Sequence, residues 1–258
     1  MNNYIKYAIL PVALLVLFAA WVIDAYGPPP VEGNNATRVG GDQREAVEAI
    51  VHDYLMENPT VIMEALQNAQ EADRRQQMEA QRKNVEKYHD EIYATENVGF
   101  GGNPDADAVI VEFFDYNCGA CKFMFQGLDE LIQKDDNVKV LFREFPIFGP
   151  TSDENARIGL AVADMAPGKY YAFHKAMMTK EGNADAEFAY ATAGDLGIDV
   201  DALRELAESE EIQGRMESER ELANNIGLRG TPALIIGDEV QPGAISYDEL
   251  QPKVDALR

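Results

Sequence analysis

The stretch FFDYNCGACK, residues 113–122, contains both cysteines of the 258-residue chain. It ends a β-branched and aromatic run, AVIVEFFDY at residues 108–116, which is typical of a buried strand. The segment CKFMFQGLDELIQK, residues 121–134, has helical spacing, and VKVLFREFPI, residues 138–147, indicates a second strand. Strand, helix and strand in this order predict a parallel pair in an α/β fold, with the cysteines at the start of the helix.

Two cysteines with CxxC spacing have three explanations, and redox chemistry is the one we favour. A disulfide that closes four residues would stabilise the fold by only about 2 kcal/mol, against about 5 kcal/mol for a hundred-residue loop. A zinc site would need further ligands, but His52, His89 and His174 are scattered and form no second spaced pair. The sequence therefore predicts a redox pair with no metal and no cofactor.

The two cysteines are expected to have different roles. If Cys118 caps the helix, its sulfur faces the positive end of the helix dipole and unpaired backbone amides, which stabilise a thiolate. Cys118 is then the attacking sulfur. Cys121, one turn inside the helix, is placed to resolve a mixed disulfide.

Three further features surround the cysteines in the predicted site. Glu112 lies in a run that should be buried, so its pKa should rise and it becomes a candidate proton carrier for Cys121; a strand-edge glutamate facing water is the alternative. Pro232 begins the strand-like run ALII, and if the Thr231–Pro232 bond is cis, the loop stands against the site with its backbone open to a substrate. Tyr116 is expected to shape the substrate groove, although core packing explains it equally.

The amino-terminal residues 1–26 predict a membrane anchor or signal segment. The uncharged run YAILPVALLVLFAAWVI, residues 7–23, would span about 26 Å as a helix. Lys6 before it and Asp24 after it place the rest of the chain outside the cytosol. The stretch FAAWVIDAYG has no clean pair of small residues for cleavage, which favours an uncleaved anchor over a cleaved signal peptide. In both cases disulfides persist in the compartment of the main domain.

Residues 27–42 and 43–94 are predicted to form a linker and a helical arm. GPPPVEGNNATRVGGD, residues 27–42, combines prolines with glycine and asparagine breakers. Apolar residues then recur at helical spacing, at Val47, Ile50, Val51, Tyr54 and Leu55. Residues 67–90 are rich in Glu, Gln, Arg and Lys and have little to bury alone. The residues favour equally a solvated spacer and an oligomerisation stalk.

The rest of the chain, residues 95–258, is predicted to be one α/β domain with a helical block inserted at about residues 151–226. A strand hairpin is expected at residues 232–243 and a closing helix at residues 247–257. The chain has 45 acidic and 22 basic side chains and a net charge of −23. This balance repels phosphate backbones, so nucleic acid is excluded as a partner.

The sequence resembles the DsbA-like branch of the thioredoxin superfamily over residues 98–258. EFFDYNCGACK at residues 112–122 is similar to the active-site strand and helix of that family, with Glu112 at the position of its buried acid. FREFPIFGP and GTPALIIGD resemble its third strand and its cis-proline loop. DYLMENPTVIMEALQ, residues 53–67, resembles the oligomerising arm of ScsC-like proteins. The resemblance implies a thioredoxin fold with an inserted helical domain, and it favours the stalk over the spacer.

The resemblance also implies a function, a periplasmic disulfide isomerase or reductase that is tethered to the inner membrane or, after signal cleavage, soluble. Its partners would be unfolded or misoxidised secreted proteins, a membrane reductase or oxidase that recycles the CxxC, and further copies of the chain. Gly119-Ala120 stands where DsbA has Pro-His, which should make the pair less oxidising. A monomeric DsbA-type oxidase is the alternative, and a Cu(I)-binding module that uses both thiolates is a third hypothesis.

Overall fold

The structure is a computed structural model that describes residues 41–258. The predicted anchor or signal segment at residues 1–26, and nearly all of the predicted linker, lie outside the described residues. No helix within residues 41–258 has the length and apolar character needed to cross a membrane.

The described residues form five strands and ten helices. The strands are β1 (Gly99–Gly102), β2 (Ala108–Phe114), β3 (Val138–Glu144), β4 (Ala233–Ile236) and β5 (Glu239–Pro242). The helices are α1 (Gly41–Glu57), α2 (Pro59–Lys87), α3 (His89–Ile92), α4 (Gly119–Lys134), α5 (Pro150–Met165), α6 (Pro167–Thr179), α7 (Ala186–Asp195), α8 (Val200–Ala207), α9 (Glu210–Ile226) and α10 (Tyr247–Asp255). Five of these helices, α5 to α9, follow one another between β3 and β4.

The strands form one mixed sheet in the order β1-β3-β2-β4-β5, with β2 at its centre. Strands β2 and β3 are parallel, which confirms the strand–helix–strand prediction. Strands β4 and β5 form the predicted antiparallel hairpin, and β5 lies at an edge of the sheet. In the central strand, Glu112 is opposite Phe142 of β3 and Leu234 of β4, so it sits between two paired neighbours.

Successive residues of β2 point to opposite faces of the sheet, and each face has its own core. Ile110 and Phe114 belong to a cluster that includes residues of α4 and of the inserted helices. Val111 and Phe113 belong to a second cluster on the other face, which includes Val85 of α2. Burying one such side chain stabilises the fold by about 1.5–3 kcal/mol. Because both faces are covered, the ends of the central strands are held rigidly below the CxxC.

The chain divides after Asn68 into two compact units. In the first unit, α1 and the start of α2 carry large apolar side chains that are exposed in the single chain. They are Val47, Ile50, Val51, Tyr54, Met56, Val61, Ile62, Met63 and Leu66. Apolar side chains exposed together in this number are typical of a surface that binds another protein.

Candidate active site

Cys118 is the N-cap of α4. Its backbone is extended, at φ −80° and ψ 115°, and its sulfur accepts a hydrogen bond of 3.4 Å from the backbone amide of Cys121. The sulfur thus lies at the electropositive end of a sixteen-residue helix. This is the capping arrangement that the sequence predicted.

The loop before β4 lies directly against this sulfur. The Thr231–Pro232 peptide bond is cis, as the sequence-based hypothesis required. In its protonated form, the Cys118 thiol donates a hydrogen bond of 3.4 Å to the carbonyl oxygen of Thr231. Only 3 % of Cys118 is exposed, whereas Gly119 and Ala120 are exposed. The structure therefore brings together the cysteine and the proline loop, which are 113 residues apart in the chain.

The two thiols, both free, have opposite electrostatic environments. Hydrogen bonding from the Cys121 thiol is the largest influence on Cys118 and, together with hydrogen bonding from the Thr231 side chain and from the backbone amides of Cys121 and Ala120, lowers its pKa to about 5 against the effect of burial. Burial raises the pKa of Cys121 far above its ordinary value, and hydrogen bonding to Cys118 and the charge of Glu112 act in the same direction. At neutral pH the first sulfur is a thiolate and the second a thiol.

Glu112 is fully buried in the central strand. Its carboxyl oxygens have no hydrogen-bond partner within the described residues. Burial raises the pKa of Glu112 well above its ordinary value, and the nearby Cys118 adds to this effect. The alternative of a strand-edge glutamate facing water is wrong, because β2 is central and this side chain has no exposed surface.

Tyr116 lies in the core rather than in a substrate groove, so the prediction that it binds substrate is wrong and the alternative of core packing is correct. Its side chain is 1 % exposed, its ring packs edge-on at 4.9 Å from the ring of Phe114, and its hydroxyl lies 3.4 Å from Nδ1 of His174. His174 is itself fully buried, and burial lowers its pKa to about 3, so the imidazole is neutral. Both residues pack the core beneath the site. Within the described residues, no group of three or more His, Cys, Asp and Glu side chains is placed to hold a metal ion.

A second buried acid, Glu144 at the end of β3, was not identified from the sequence. It is 1 % exposed, and burial together with the charge of Asp115 raises its pKa well above its ordinary value. Glycine at position 159 leaves room for it, because a side chain there would collide with the Glu144 carboxyl group. The available signal was the alternation along β3, which puts Glu144 on the same sheet face as the buried Phe142.

The chain matches two protein families. Residues 109–255 match the DSBA-like thioredoxin domain, and residues 43–76 match the copper resistance protein ScsC N-terminal domain. The chain belongs to the DsbA-like thioredoxin family. It is a thiol-disulfide oxidoreductase of the DsbA and ScsC type.

Individual DsbA-like relatives agree with this assignment. The chain is 27 % identical over 166 residues to disulfide bond formation protein D of Bacillus subtilis, which covers 60 % of this chain and 74 % of the relative. It is similar to a linker-deletion mutant of Proteus mirabilis ScsC, with a TM-score of 0.64, 27 % identity and coverage of 86 % and 98 % of the two chains. It is also similar to the thiol-disulfide exchange protein alpha-DsbA2 of Wolbachia pipientis, with a TM-score of 0.64, 32 % identity and coverage of 69 % and 96 %.

In this DsbA-like protein a buried carboxylate, Asp115, holds the backbone on both sides of the site. Its Oδ2 accepts hydrogen bonds from the amides of Ile147 at 2.7 Å and Phe148 at 3.1 Å. Its Oδ1 accepts from the amide of Asn117 at 2.7 Å and from the hydroxyl of Ser152 at 2.8 Å. Asp115 thus joins the turn before Cys118 to the loop that follows β3. Sequence reasoning passed over it because all of its partners except Asn117 are more than 30 residues away.

The substitution Asp115→Ala is expected to lower the free energy of unfolding by about 3 kcal/mol, because it leaves several buried donors without an acceptor. Urea denaturation followed by circular dichroism measures this. Asp105→Ala is the matched control, since Asp105 is exposed, and it should change the unfolding free energy by less than about 0.5 kcal/mol. Equal stability of the two variants would contradict this stabilising role of Asp115.

Proposed function

We propose that this protein isomerises or reduces disulfides in misoxidised secreted proteins, with Cys118 as the nucleophile and Cys121 as the resolving thiol. The observation that carries the proposal is the contrast between the two sulfurs. One caps a helix with its pKa lowered to about 5, and the other is fully buried with its pKa raised. Such a pair attacks through one sulfur and keeps the other protonated until it is needed.

The reaction begins when the Cys118 thiolate attacks one sulfur of a substrate disulfide. A bond forms between Cys118 Sγ and that sulfur, and the other substrate sulfur leaves with the bonding electron pair as a thiolate. In isomerisation, a different substrate thiolate attacks the mixed disulfide and displaces Cys118 as a thiolate, so there is no net oxidation. In reduction, Cys121 attacks Cys118 Sγ, the substrate thiolate leaves, and the two cysteines end as a disulfide.

We assign Glu112 the role of accepting the proton that Cys121 loses in the resolving step. The charge on Cys118 helps to raise the pKa of Glu112, and this charge is lost once Cys118 enters the mixed disulfide. The pKa of Glu112 then falls towards the value that burial alone sets, which makes its ionised form more available when Cys121 must lose its proton. Thr231 and Pro232 are assigned to substrate binding, because the carbonyl oxygen of Thr231 lies against the attacking sulfur.

The electrostatics of Cys118 support isomerisation or reduction over strong oxidation. A pKa of about 5 lies between the values of about 3.5 for DsbA and about 7 for thioredoxin. A less stabilised thiolate makes the reduced form less favoured, and hence the disulfide less oxidising. Gly119 and Ala120 supply no side chain that could stabilise the thiolate further. A DsbA-type oxidase is the runner-up, supported by the fact that the pKa of Cys118 still lies well below that of an ordinary thiol.

The helical arm and the uncharged amino-terminal run support an oligomeric protein in the periplasm. The exposed apolar side chains of residues 47–66 support a homo-oligomer formed through the arm, and an oligomer can hold a misfolded chain while its disulfides are exchanged. The uncharged run at residues 7–23 supports a periplasmic protein with an inner-membrane anchor, or a soluble one after cleavage. Net reduction requires a membrane reductase that returns two electrons to the CxxC. Net oxidation would require a membrane oxidase.

Refolding of scrambled and of reduced ribonuclease tests the direction of exchange. The wild-type protein is expected to restore activity to scrambled ribonuclease. The double variant Ile50→Asp, Leu66→Asp places charges among the exposed apolar side chains, and it should slow this recovery about tenfold while sedimentation shows smaller particles. Gln67→Asp combined with Gln70→Asp adds the same two charges at polar, exposed positions and is the control that should change neither measurement. Recovery of reduced but not scrambled ribonuclease by the wild type would rule out isomerisation and favour the oxidase.

A further inference from the structure

A groove of about 770 Å³ lies between the second half of α2 and the loop that contains the cis-proline. Arg74, Met78 and Gln81 line it from α2, and Arg229 and Thr231 line it from the loop. Its volume is within the range of about 300–1,000 Å³ that is typical of ligand sites. We call these lining residues, together with Lys253 of α10, the arm groove.

The α2 wall of the arm groove is fixed to the domain that carries the CxxC. The Gln81 side-chain amide donates a hydrogen bond of 3.0 Å to the carbonyl oxygen of Gly227. Arg82 forms an ion pair with Asp238 at 3.3 Å, and Val85 is fully buried in the core on that sheet face. A hydrogen bond, an ion pair and a buried apolar side chain hold this stretch of helix against the domain. The groove therefore exists before any ligand binds.

The arm groove adjoins the loop that contacts the attacking sulfur. Thr231 and Pro232 belong to its lining, and the carbonyl oxygen of Thr231 accepts the hydrogen bond from Cys118. A polypeptide that presents a disulfide to Cys118 therefore has its flanking residues at the mouth of the groove. This links occupancy of the groove to the exchange reaction.

The charge of the arm groove is opposite to that of the chain. Arg74, Arg229 and Lys253 line it, and Glu239 is the one acid among its lining residues, whereas the whole chain has a net charge of −23. Within the described residues neither Arg74 nor Arg229 forms an ion pair, although Arg75, the neighbour of Arg74, pairs with Glu71. Exposed, unpaired cations around a groove favour a segment that carries carboxylates.

We propose that the arm groove binds an extended segment of the substrate protein that carries acidic side chains beside its cysteine. The proposal rests on the proposed function, since it requires Cys118 to attack a substrate disulfide. It gives the second half of α2 a role in choosing the substrate. Met78, which is exposed at 56 %, adds apolar surface for the body of the same segment.

Two peptides test this with the reduced full-length protein. Each peptide has one cysteine in a disulfide with 5-thio-2-nitrobenzoate, flanked in one peptide by aspartates and in the other by lysines. The Cys118 thiolate attacks the peptide sulfur, a mixed disulfide forms, and the coloured aromatic thiolate leaves with the electron pair. The acidic peptide is expected to react about tenfold faster at low salt, and the difference should shrink as salt is added.

Variants of the groove give the matched comparison. Arg74→Glu combined with Lys253→Glu should remove or reverse the preference for the acidic peptide, with circular dichroism as the check on folding. Arg75→Glu combined with Lys83→Glu makes the same charge change on α2, outside the groove lining, and should keep the preference of the wild type.

Three results would overturn the proposal. If both peptides react at equal rates, the proposal that the groove prefers acidic segments is wrong, but the proposed function is not contradicted. If the wild-type protein reacts with neither peptide and also fails to react with the uncharged hydroxyethyl disulfide, the proposed function itself is wrong. A change in sedimentation of the Arg74→Glu, Lys253→Glu variant with no change in peptide rates would make the groove a contact between copies of the chain.

Discussion

Iodoacetamide is expected to alkylate Cys118 with a pH midpoint near 5, because only the thiolate reacts and the pKa of this thiol is lowered to about 5. A thiol with an ordinary pKa of about 8.5 would be about 3 % ionised at pH 7, so the reactive fraction of Cys118 is raised about thirtyfold. The midpoint is the quantity to measure, because the low exposure of the side chain, 3 %, slows alkylation at every pH. Mass spectrometry of the modified protein over pH 3–10 gives the profile.

The control for this profile removes the largest influence on the sulfur. Cys121→Ala deletes the thiol that donates to Cys118, so the pKa of Cys118 and the midpoint should both rise.

The lowered pKa of Cys118 also makes the stability of the folded protein depend on pH. The pKa of Cys118 is lower in the folded than in the unfolded chain, so its stabilising contribution is present at high pH and is lost as the pH falls through about 5. A wild-type midpoint near 8.5 would contradict the electrostatic account of the site.

Local sequence was sufficient to predict the centre of the fold and the cysteine site. The run AVIVEFF, followed by an amphipathic helix and a second apolar run, predicted the parallel pair β2 and β3, which the structure confirms. The CxxC at the boundary of strand and helix predicted Cys118 as an N-cap. Both inferences succeed because the strand, the turn and the helix are neighbours in the chain, so their geometry depends on short-range rules.

Strand β1 could not be predicted, because its residues have little intrinsic preference for a sheet. Gly99 and Gly101 have no side chains to pack, and glycine is depleted in strands. Their role appears only in the fold, where the rings of Tyr170 and Tyr171 of α6 occupy the space that a side chain at each glycine would need. The information that specifies this strand is therefore located about 70 residues away from it.

Two of the buried acids, Glu112 and Glu144, differ in what the sequence could reveal. Glu112 interrupts a run of apolar residues, so its burial was predictable from its neighbours alone. Glu144 follows Arg143, and a charged pair at the end of a strand is more typical of a surface. Its burial depends on the inserted helices, which cover that face of the sheet. The same covering explains why Tyr116, two residues before Cys118, lies in the core.

The wall of the arm groove was also beyond the reach of sequence analysis. Residues 67–90 were correctly predicted to be helical from their Glu, Gln, Arg and Lys content. That composition gives no indication that Gln81 binds a carbonyl group 146 residues further along the chain. Polar contacts between distant segments leave no periodic signal, whereas apolar burial does.

Replacing each cysteine by serine is expected to separate the two steps of exchange. Cys118→Ser should reduce the rate of insulin reduction by at least about a thousandfold, because a serine hydroxyl is neither ionised near neutral pH nor able to form a disulfide. Cys121→Ser keeps the attacking sulfur and loses the resolving thiol, so a covalent adduct between protein and substrate should accumulate. Non-reducing gel electrophoresis after an acid quench measures the adduct.

The adduct is the more informative of the two results, because it depends on which sulfur attacks. Cys121 is fully buried and has a raised pKa, so it cannot reach or attack a protein disulfide on its own. The double variant Cys118→Ser, Cys121→Ser should form no adduct and is the control. Glu112→Gln should form adducts that resolve more slowly than those of the wild type, and the deficit should decrease as rising pH ionises Cys121 without a base. An adduct that forms through Cys121 in the Cys118→Ser variant would reverse the assignment of the two thiols.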